Sequence, residues 1–263
     1  MPTAPPIAVI LAAGRGTRMG SDLPKVLFEA AGRPLVAWVL EALRAAGIHE
    51  RIVVVGYGAD RVEAKLAGMP GVSFALQKEL RGTGDAVASA AGEIRSLIAG
   101  DGPGTSRPVV IVCGDSPMLR PESVRRLLDA FESRKAACLL GTTLATDPSG
   151  LGRIVRDSAG RFLKIVEEKD ATDEERGITE VNMSTYVFEA RDLLDALGRL
   201  DNANAAGEYY LTDCPAILLA DGKVVDAVAC LHPSESLSVN TPEQLAAVDA
   251  ALMNAVAEVK VTP

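Results

Sequence analysis

The stretch Ile7-Ala-Val-Ile-Leu-Ala-Ala-Gly-Arg-Gly-Thr-Arg-Met19 determines how this chain of 263 residues is interpreted. Its first part, Ile7–Leu11, is a short apolar run of the kind that forms a buried strand. Residues 12–19 then bring two glycines, small side chains, a hydroxyl and two guanidinium groups. Glycine permits close approach of the backbone, and successive N–H groups form an anion-binding concavity. With Arg18 and the nearby Lys25 as charges, the stretch predicts a strand followed by a polyphosphate-binding loop.

The composition predicts a globular protein without a nucleic-acid or membrane partner. Hydrophobic residues make up 48% of the chain, the mean hydropathy is +0.18 and the net charge is −8. Such a chain can bury a sizeable core, but it lacks the basic surface that sequence-independent nucleic-acid binding needs. No apolar run reaches the length of about 18 residues that a membrane-spanning helix requires, and the first residues do not resemble a signal peptide. We therefore expect a cytoplasmic protein.

The cysteines and histidines carry no recognisable motif. The four cysteines are far apart and lack zinc-ligand spacing: Cys113, Cys138, Cys214 and Cys230. Isolated cysteines in apolar runs are usually buried thiols of a reducing compartment. The two histidines, His49 and His232, are isolated, which weighs against a Ser-His-Asp hydrolase and against a histidine-rich zinc enzyme.

Strand-like and helix-like patterns alternate through the first half of the chain. The predicted strands are Ile7–Ala12, Arg51–Val55, Val72–Leu76, Val109–Cys113 and Ala137–Thr142. The predicted helices are Leu35–Ala46, Asp60–Ala67, Asp85–Ile98 and Pro121–Arg134. This alternation predicts an α/β fold with three α/β/α layers, Rossmann-like, around a mostly parallel sheet. Ligands bind such sheets at the carboxyl ends of the strands, where the glycine-rich loop lies.

The second half predicts a smaller lobe beside the mouth of the sheet. A turn at Asp157–Gly160 joins a hairpin. The elements expected there are strands within Gly150–Arg156, Phe162–Glu167, Glu180–Phe188 and Val224–Cys230, and helices near Ala190–Leu200 and over Pro242–Val256. No repeat, linker or low-complexity tract divides the chain. We expect one domain over residues 1–263.

The loop does not fit two common phosphate-binding motifs. After Gly14 and Gly16, the dinucleotide fingerprint needs a third glycine where Met19 stands. A Walker loop needs Gly-Lys-Ser/Thr at a spacing that is also missing. These mismatches weigh against a Rossmann oxidoreductase and a P-loop nucleotidase.

The stretch Leu11–Met19, together with Pro24-Lys25-Val-Leu27, resembles the signature of sugar-1-phosphate nucleotidyltransferases. It is most similar to the uridyltransferase half of the bifunctional N-acetylglucosamine-1-phosphate uridyltransferase/glucosamine-1-phosphate acetyltransferases. The resemblance implies the nucleotide-diphospho-sugar transferase fold and a loop that wraps a nucleoside triphosphate. It implies that Arg18 and Lys25 contact the phosphates and act in catalysis. The implied nucleotide-binding loop positions are Leu11, Ala12, Ala13, Gly14 and Gly16.

A second motif runs from Gln77 to Gly82-Thr83. A glutamine amide offers a donor and an acceptor, which suits the edge of a pyrimidine, and Thr83 lies where a helix begins, with amides that can face a ligand. The resemblance implies that Gln77 and Gly82 read the uracil and that Thr83 lies near the sugar. A strand-to-helix turn with a threonine N-cap remains the alternative.

A third motif ends the strand Val109–Cys113 in Gly-Asp115. A carboxylate beside a triphosphate suits Mg²⁺, which prefers one or two protein oxygens plus phosphate and water. The resemblance implies that Asp115 and Asn240 are the two metal ligands. An Asx-turn before Pro117 is the alternative for Asp115, and a plain loop position before the last helix is the alternative for Asn240.

The resemblance also implies the sugar side of the site. Gly152, Glu167 and Asn182 match positions that bind the amino-sugar phosphate, and Arg153, Lys169 and the run Glu208–Asp213 match family positions as well. Glu167 and Lys169 are equally compatible with an exposed charged turn. Tyr209 and Tyr210 are interpreted as core aromatics.

Two departures from the family pattern fall near the expected sugar pocket. The usual Asn-Thr-Gly is Asn182-Met183-Ser184 here, and a tyrosine that is common before Gly-Asp is Cys113. They concern the identity of the sugar and leave the nucleotide residues untouched.

The resemblance spans roughly Ile7 to Leu252, with residues 5–142 as the nucleotide-binding part and 143–263 as the sugar-phosphate-binding part with the closing helix. The second half of the bifunctional family proteins, an acetyltransferase β-helix, has no counterpart in the sequence. We therefore expect that this protein does not transfer acetyl groups and that it is a monomer or a dimer. The hypothesis is a Mg²⁺-dependent enzyme that makes UDP-N-acetylglucosamine and pyrophosphate from UTP and N-acetylglucosamine-1-phosphate. The alternatives are a transferase using dTTP and glucose-1-phosphate or CTP, a non-catalytic sugar-nucleotide sensor, and a Rossmann oxidoreductase.

Overall fold

The computed structural model of the protein describes residues 3–204 and 206–261. The strands there are β1 Ile7–Leu11, β2 Glu29–Ala30, β3 Arg33–Pro34, β4 Glu50–Val55, β5 Val72–Leu76, β6 Pro108–Cys113, β7 Cys138–Leu144, β8 Arg153–Arg156, β9 Phe162–Val166, β10 Glu180–Glu189 and β11 Val225–Val228. The α-helices there are α1 Leu35–Ala45, α2 Ala59–Leu66, α3 Thr83–Ser89, α4 Ala91–Ile98, α5 Pro121–Arg134, α6 Asp173–Arg176, α7 Ala190–Leu197, α8 Cys214–Ala220 and α9 Pro242–Val261.

The predicted helix Asp85–Ile98 is wrong as one element. Helices α3 and α4 are separated at Ala90, whose backbone leaves the helical region at φ −89° and ψ 1°. The Ala90 N–H bonds to the carbonyl of Val87, three residues back. The Ser89 hydroxyl donates to the Asp85 carbonyl at 2.9 Å and so competes for a helical acceptor. The other predicted elements match observed ones with small shifts at their ends.

The central sheet has the strand order β11-β7-β10-β6-β1-β4-β5, and the β8–β9 hairpin extends from β10. Strands β1, β4, β5 and β6 pair in parallel, as do β7 and β11. Strand β10 runs antiparallel between β6 and β7, with Tyr186 opposite Ile111. The sheet is therefore mostly parallel, as predicted, with one reversed strand in its middle.

Helices cover both faces of the sheet. On one face, alternate residues of β1 and β6 pack with α3, α4, α7 and α8 in a core that contains Ile94, Leu193 and Leu218. On the other face, the intervening residues pack with α1, α2 and α5. These layers form because parallel strands joined by helices must bury both faces. The three-layer α/β/α prediction is confirmed.

A third, smaller core lies beside the mouth of the sheet. It joins Met19 from the loop after β1 with Val239, Val248 and Leu252 from the last segment of the chain. The β2–β3 hairpin contributes Ala30, and the next residue donates its N–H to Asp249 at 2.7 Å. This core anchors α9, and with it the segment that carries Asn240, next to the glycine-rich loop.

Candidate active site

The loop after β1 leaves the carboxyl edge of the sheet as a sharp turn. Gly16 adopts φ +68°, and a Cβ there would lie 2.6 Å from Cβ of Lys25. Glycine at this position therefore lets the stem of Lys25 pack against the loop. In the described part of the chain, the N–H groups of residues 13–18 donate to no backbone carbonyl or side chain. A row of free amides beside basic side chains is an anion-binding arrangement.

Four predicted residues from three distant parts of the chain meet beside this loop. The Lys25 ammonium forms an ion pair with the Asp115 carboxylate and donates to Oδ1 of Asn240 at 3.0 Å. Arg18 donates to the same Oδ1 at 3.1 Å. The side chains of Lys25 and Asp115 are only 16% and 15% exposed, so water screens this pair less than a surface ion pair.

Backbone hydrogen bonds hold the two implied metal ligands in position. Val239 donates its N–H to the Asp115 carbonyl at 3.1 Å, which ties the loop before α9 to the end of β6. The Asn240 amide nitrogen donates to the Ser238 hydroxyl at 3.2 Å, so Oδ1 faces the cations. Neither side-chain oxygen of Asp115 accepts a hydrogen bond from the turn that follows it. The Asx-turn alternative therefore does not hold.

The donor set fits Mg²⁺. A carboxylate oxygen and an amide oxygen already converge on one positive charge, the Lys25 ammonium. Mg²⁺ prefers such hard oxygen ligands and completes its shell with phosphate and water. Within the described residues there is no group of three or more histidine, cysteine or acidic side chains suited to another metal.

Gln77 is buried at the end of β5, and its amide is fixed by two acceptors. Its Nε2 donates to the Asp85 carboxylate at 2.8 Å and to the Gly82 carbonyl at 3.2 Å. Because both partners accept, the nitrogen must face them. Both N–H donors are therefore used within the chain, contrary to the expectation of a free donor and acceptor. Oε1 is left as the group available to a ligand.

The Gly82-Thr83 turn docks against the segment that contains Tyr209. A Cβ on Gly82, at φ +108°, would lie 2.5 Å from the Tyr209 carbonyl. Gly84 donates its N–H to that carbonyl at 2.8 Å, and the Thr83 hydroxyl accepts from the Leu211 N–H at 3.0 Å. Gly82, and not Thr83, precedes helix α3, and no side chain caps the helix. The threonine N-cap alternative is therefore wrong.

The sugar-side residues line or adjoin a cleft of about 340 Å³ next to the loop. A Cβ on Gly152 would lie 3.5 Å from Oε2 of Glu167, and the Gly152 carbonyl accepts from the Asn182 N–H at 2.8 Å. Burial, reinforced by the charge of Asp170, raises the pKa of the Glu167 carboxyl, although a hydrogen bond from Thr212 opposes the shift. Gly152, Glu167 and Asn182 therefore come together as the resemblance implies.

The sequence reasoning missed Tyr186 as a residue of the cleft and misinterpreted Tyr210. Asn182 donates from Nδ2 to the hydroxyl of Tyr186 at 2.7 Å, and both Tyr186 and Ser184 line the cleft. Tyr210 also lines it and is half-buried, so the interpretation of Tyr209 and Tyr210 as core aromatics is wrong. A β-bulge between Asn182 and Thr185 shifts which side chains face the cleft. Sequence periodicity does not reveal such a shift.

The remaining expected residues lie partly in the cleft and partly in structural positions. Arg153 is 2% exposed, and its guanidinium forms an ion pair at 2.7 Å with Glu168, which lines the cleft. Lys169 lines the cleft. The His232 ring accepts from the Ser234 N–H at 3.2 Å as part of a turn. Cys138 and Cys214 are buried free thiols, whereas Cys113 and Cys230 are half-buried.

Cys113 ends β6 beside Asp115. Burial, reinforced by the Asp115 charge, raises the pKa of the Cys113 thiol to about 12. The group is therefore a neutral thiol at physiological pH. The helices of the described residues are too short or too polar to cross a lipid bilayer.

Comparison with known proteins identifies the family. The family model of the MobA-like NTP transferase domain matches residues 8–210, which is more than half of the chain. The chain belongs to this family. The match confirms the predicted enzyme class, a nucleotidyltransferase, and the matched range contains the glycine-rich loop, Gln77 and Asp115.

Relatives of this NTP transferase are similar over most of its length. It is 48% identical over 239 residues to the bifunctional protein GlmU of Geobacter metallireducens, covering 91% of this chain and 48% of the relative. It is 43% identical over 251 residues to the GlmU of Pelotomaculum thermopropionicum, covering 95% and 53%. The chain spans about half the length of these relatives. The predicted resemblance to the bifunctional family is therefore confirmed.

A solved structure shows that the fold is shared more widely. A UDP-glucose pyrophosphorylase complexed with UDP-glucose superimposes with a TM-score of 0.73 at 15% identity, covering 95% of this NTP transferase and 99% of that chain. At this identity the likeness concerns the fold. The predicted nucleotide-diphospho-sugar transferase fold is confirmed.

Proposed function

We propose that this nucleotidyltransferase makes UDP-N-acetylglucosamine and pyrophosphate from UTP and N-acetylglucosamine-1-phosphate, with Mg²⁺ as cofactor. The observation that carries the proposal is the meeting of Arg18, Lys25, Asp115 and Asn240 beside a loop of free amides. The similarity to GlmU proteins supports the choice of substrates.

The proposed reaction depends on positioning and charge more than on proton transfer. An oxygen of the sugar-1-phosphate attacks the α-phosphorus of UTP, and pyrophosphate leaves. The attacking phosphate is ionised at neutral pH, so the site needs no general base. The amides of residues 13–18 and the cations of Arg18 and Lys25 hold and neutralise the triphosphate. Asp115 and Asn240 would hold Mg²⁺, which would supply charge neutralisation for two phosphates that otherwise repel each other.

The orientation of Gln77 favours uracil or thymine over cytosine. Its Nε2 is used within the chain, so Oε1 is an acceptor for a base. Uracil and thymine present an N3–H donor to such an acceptor, whereas cytosine presents an unprotonated N3. CTP therefore leaves two acceptors facing each other, which is costly in a buried site. UTP and dTTP share the preferred pattern, and the relatives favour UTP.

Pyrophosphate release tests the proposal. Purified protein is assayed with UTP, dTTP and CTP, each combined with N-acetylglucosamine-1-phosphate or glucose-1-phosphate, in the presence of Mg²⁺. The proposal expects the highest kcat/KM with UTP and N-acetylglucosamine-1-phosphate and the lowest with CTP. Preference for dTTP and glucose-1-phosphate would assign the enzyme to other substrates. Binding of UDP-N-acetylglucosamine without turnover of any pair would identify a sensor.

Paired aspartate variants test the assignment of Asp115. Asp115→Asn removes the carboxylate charge that the cation needs, and we expect kcat/KM to fall by about 100-fold or more. Asp129→Asn is the matched control, because Asp129 is exposed on α5, away from the cleft. Full activity of the Asp115 variant would contradict the metal assignment, whatever the substrate preference.

A further inference from the structure

The turn after β4 lies against both ends of the glycine-rich loop. At the start of the loop, the Tyr57 N–H donates to the Ala13 carbonyl at 3.0 Å. At the end of the loop, a Cβ on Gly58, which has φ +60°, would lie 2.7 Å from Cγ of Pro24. The turn therefore fixes where the loop begins and where it ends.

Arg15, in the middle of this loop, is held by two weak contacts. Its guanidinium lies over the Tyr57 ring, 5.0 Å from the ring centroid, and 3.6 Å from the Asp22 carboxylate. The side chains of Arg15 and Asp22 are 54% and 88% exposed. Ion pairs and cation–π contacts at such exposure contribute little to stability, because water screens the charges. A more highly charged anion can therefore replace both contacts.

Arg15 and Lys25 lie on opposite sides of the strand from which the loop emerges. The Lys25 ammonium pairs with Asp115, which follows β6. The Arg15 guanidinium contacts Tyr57, which follows β4. Strand β1 lies between β4 and β6 in the sheet. The loop therefore has one cation on the side of the proposed metal site and another on the far side.

An in-line displacement sends the leaving group towards Arg15. The cleft proposed for the sugar phosphate is lined by Ser184 and Tyr186 of β10, and β6 separates β10 from β1. In phosphoryl transfer the attacking and leaving oxygens lie roughly in line. A nucleophile that arrives from the β10 side therefore expels pyrophosphate towards β4, where the Arg15 guanidinium lies.

We propose that Arg15 is a further substrate-contacting residue, which exchanges Tyr57 and Asp22 for the terminal phosphate of the bound triphosphate. The inference rests on the proposed function, which places the reacting α-phosphorus beside Asp115. A guanidinium binds a phosphate through two parallel N–H···O bonds, which are stronger than its exposed contact with Asp22. Arg15 thereby stabilises the charge of the leaving pyrophosphate. In the free protein, Tyr57 and Asp22 keep its guanidinium next to the loop.

Binding of UTP and UDP tests the inference without turnover. Isothermal titration calorimetry with Mg²⁺ and without a sugar phosphate gives the Kd of each nucleotide. Because UDP lacks the terminal phosphate, Arg15→Gln should weaken UTP binding by about tenfold and change UDP binding by less than about twofold. Retained UDP binding shows that the variant is folded. Arg15→Lys, which keeps the charge, should restore part of the loss, and the KM for pyrophosphate in the reverse reaction should rise with the Kd for UTP.

A Tyr57 variant distinguishes a substrate contact of Arg15 from a structural one. If Arg15 leaves Tyr57 when UTP binds, Tyr57→Leu removes a competing contact, so the Kd for UTP should stay equal or fall by up to about threefold. If Arg15 only braced the loop against Tyr57, both variants would weaken UTP and UDP binding alike, and this result would overturn the inference. Arg161→Gln is the matched control for charge, since Arg161 is an exposed arginine paired with Asp157 in the β8–β9 hairpin. It should leave both Kd values unchanged.

The outcomes distinguish this inference from the proposed function. Pyrophosphate release by the wild type, combined with the same ratio of UTP and UDP Kd values in the wild type and Arg15→Gln, would overturn only the role of Arg15. Absence of UTP binding and of turnover with every sugar-1-phosphate and nucleotide would overturn the proposed function, and with it the inference.

Discussion

Lys25 places a positive charge between the two side chains that are proposed to hold a metal ion. Its ammonium contacts the Asp115 carboxylate and lies 3.0 Å from Oδ1 of Asn240. The same ammonium is proposed to bind the triphosphate. In the free protein, Lys25 therefore pairs with Asp115, and it would compete with a divalent cation at the proposed site for the same two oxygens.

The first prediction concerns Lys25→Met. Loss of the ammonium removes the competing charge, so the free protein should bind Mn²⁺ about tenfold more tightly. Turnover should fall by about 100-fold, because the triphosphate loses a cation. Electron paramagnetic resonance of free Mn²⁺ measures the first effect without nucleotide, and pyrophosphate release measures the second. Lys65→Met, at an exposed position on α2, should change neither. Unchanged Mn²⁺ affinity would contradict the competition.

The second prediction concerns pH and Glu167. Its pKa is raised by burial, so the folded state holds this proton more firmly than the unfolded state. Its contribution to the free energy of unfolding is therefore most favourable in acid and declines as the pH rises from the ordinary carboxyl value through the raised pKa. Glu167→Gln removes this decline. At pH 7 the Tm of the Glu167→Gln variant should be at least that of the wild type, and higher by up to about 2 °C.

The Glu167→Gln substitution should lower the catalytic activity, although it does not lower the stability at pH 7. The ionised Glu167 is proposed to accept hydrogen bonds from sugar hydroxyls, so Glu167→Gln should lower kcat/KM for the sugar phosphate by about tenfold. The wild-type activity should fall as the pH drops through the raised pKa, and this acid limb should be weaker in the variant. A variant with both lower Tm and an unchanged pH profile would show that the carboxylate is merely structural.

At the scale of elements, Glu235 ties the segment before Asn240 to the start of α5. It is 6% exposed, and its carboxylate accepts from the Arg120 N–H at 2.8 Å, the Ser123 hydroxyl at 2.6 Å and the His232 N–H at 2.6 Å. One side chain thus satisfies donors from two elements.

The third prediction is that Glu235→Ala destabilises the protein by about 2–4 kcal/mol, because buried donors lose their acceptor. The KM for Mg²⁺ should also rise by at least about threefold, since the loop with Asn240 is no longer fixed. Urea denaturation and metal titration of the activity measure the two effects. Glu174→Ala, at an exposed position on α6, is the control. Loss of stability without a change in the KM for Mg²⁺ would show that Glu235 does not hold the proposed metal site in position.

The elements differ in how far the sequence predicts them. The first half was predictable because apolar runs and helical spacing are local properties, and the loop, Lys25 and Asp115 follow directly after such strands. The antiparallel direction of β10 was not predictable, because a strand that is apolar on both faces gives the same sequence pattern in either direction. Glu235 and Tyr186 were missed because their partners are chosen by tertiary contacts. The shared position of Asp115 and Asn240 came from the family resemblance, not from spacing.

At the scale of the whole molecule, the site and the sheet depend on different hydrophobic cores for their stability. The sheet is buried between two large helical layers, whereas Asn240 depends on the small cluster with Met19, Val248 and Leu252. Damage to the small cluster and damage to a large one should therefore have different functional consequences.

The fourth prediction compares two leucine truncations. Leu252→Ala and Leu193→Ala each leave a cavity in a core, and such truncations typically cost about 2–5 kcal/mol. Leu252→Ala should raise the KM for Mg²⁺ severalfold, whereas Leu193→Ala should lower Tm and leave that KM unchanged. Thermal unfolding and metal titration provide the comparison. An equal change of KM in both variants would show that the third core has no special link to the site.

Because Met19 and Leu252 share one cluster, a ligand that binds the loop only when this cluster is intact would also stabilise the docked last helix. The free energy of this coupling grows with the logarithm of ligand concentration above its Kd. Proteases cleave chains at segments that open transiently. The lifetime of the last segment against proteolysis should therefore lengthen when nucleotide is abundant, so that substrate supply sets how long the enzyme persists.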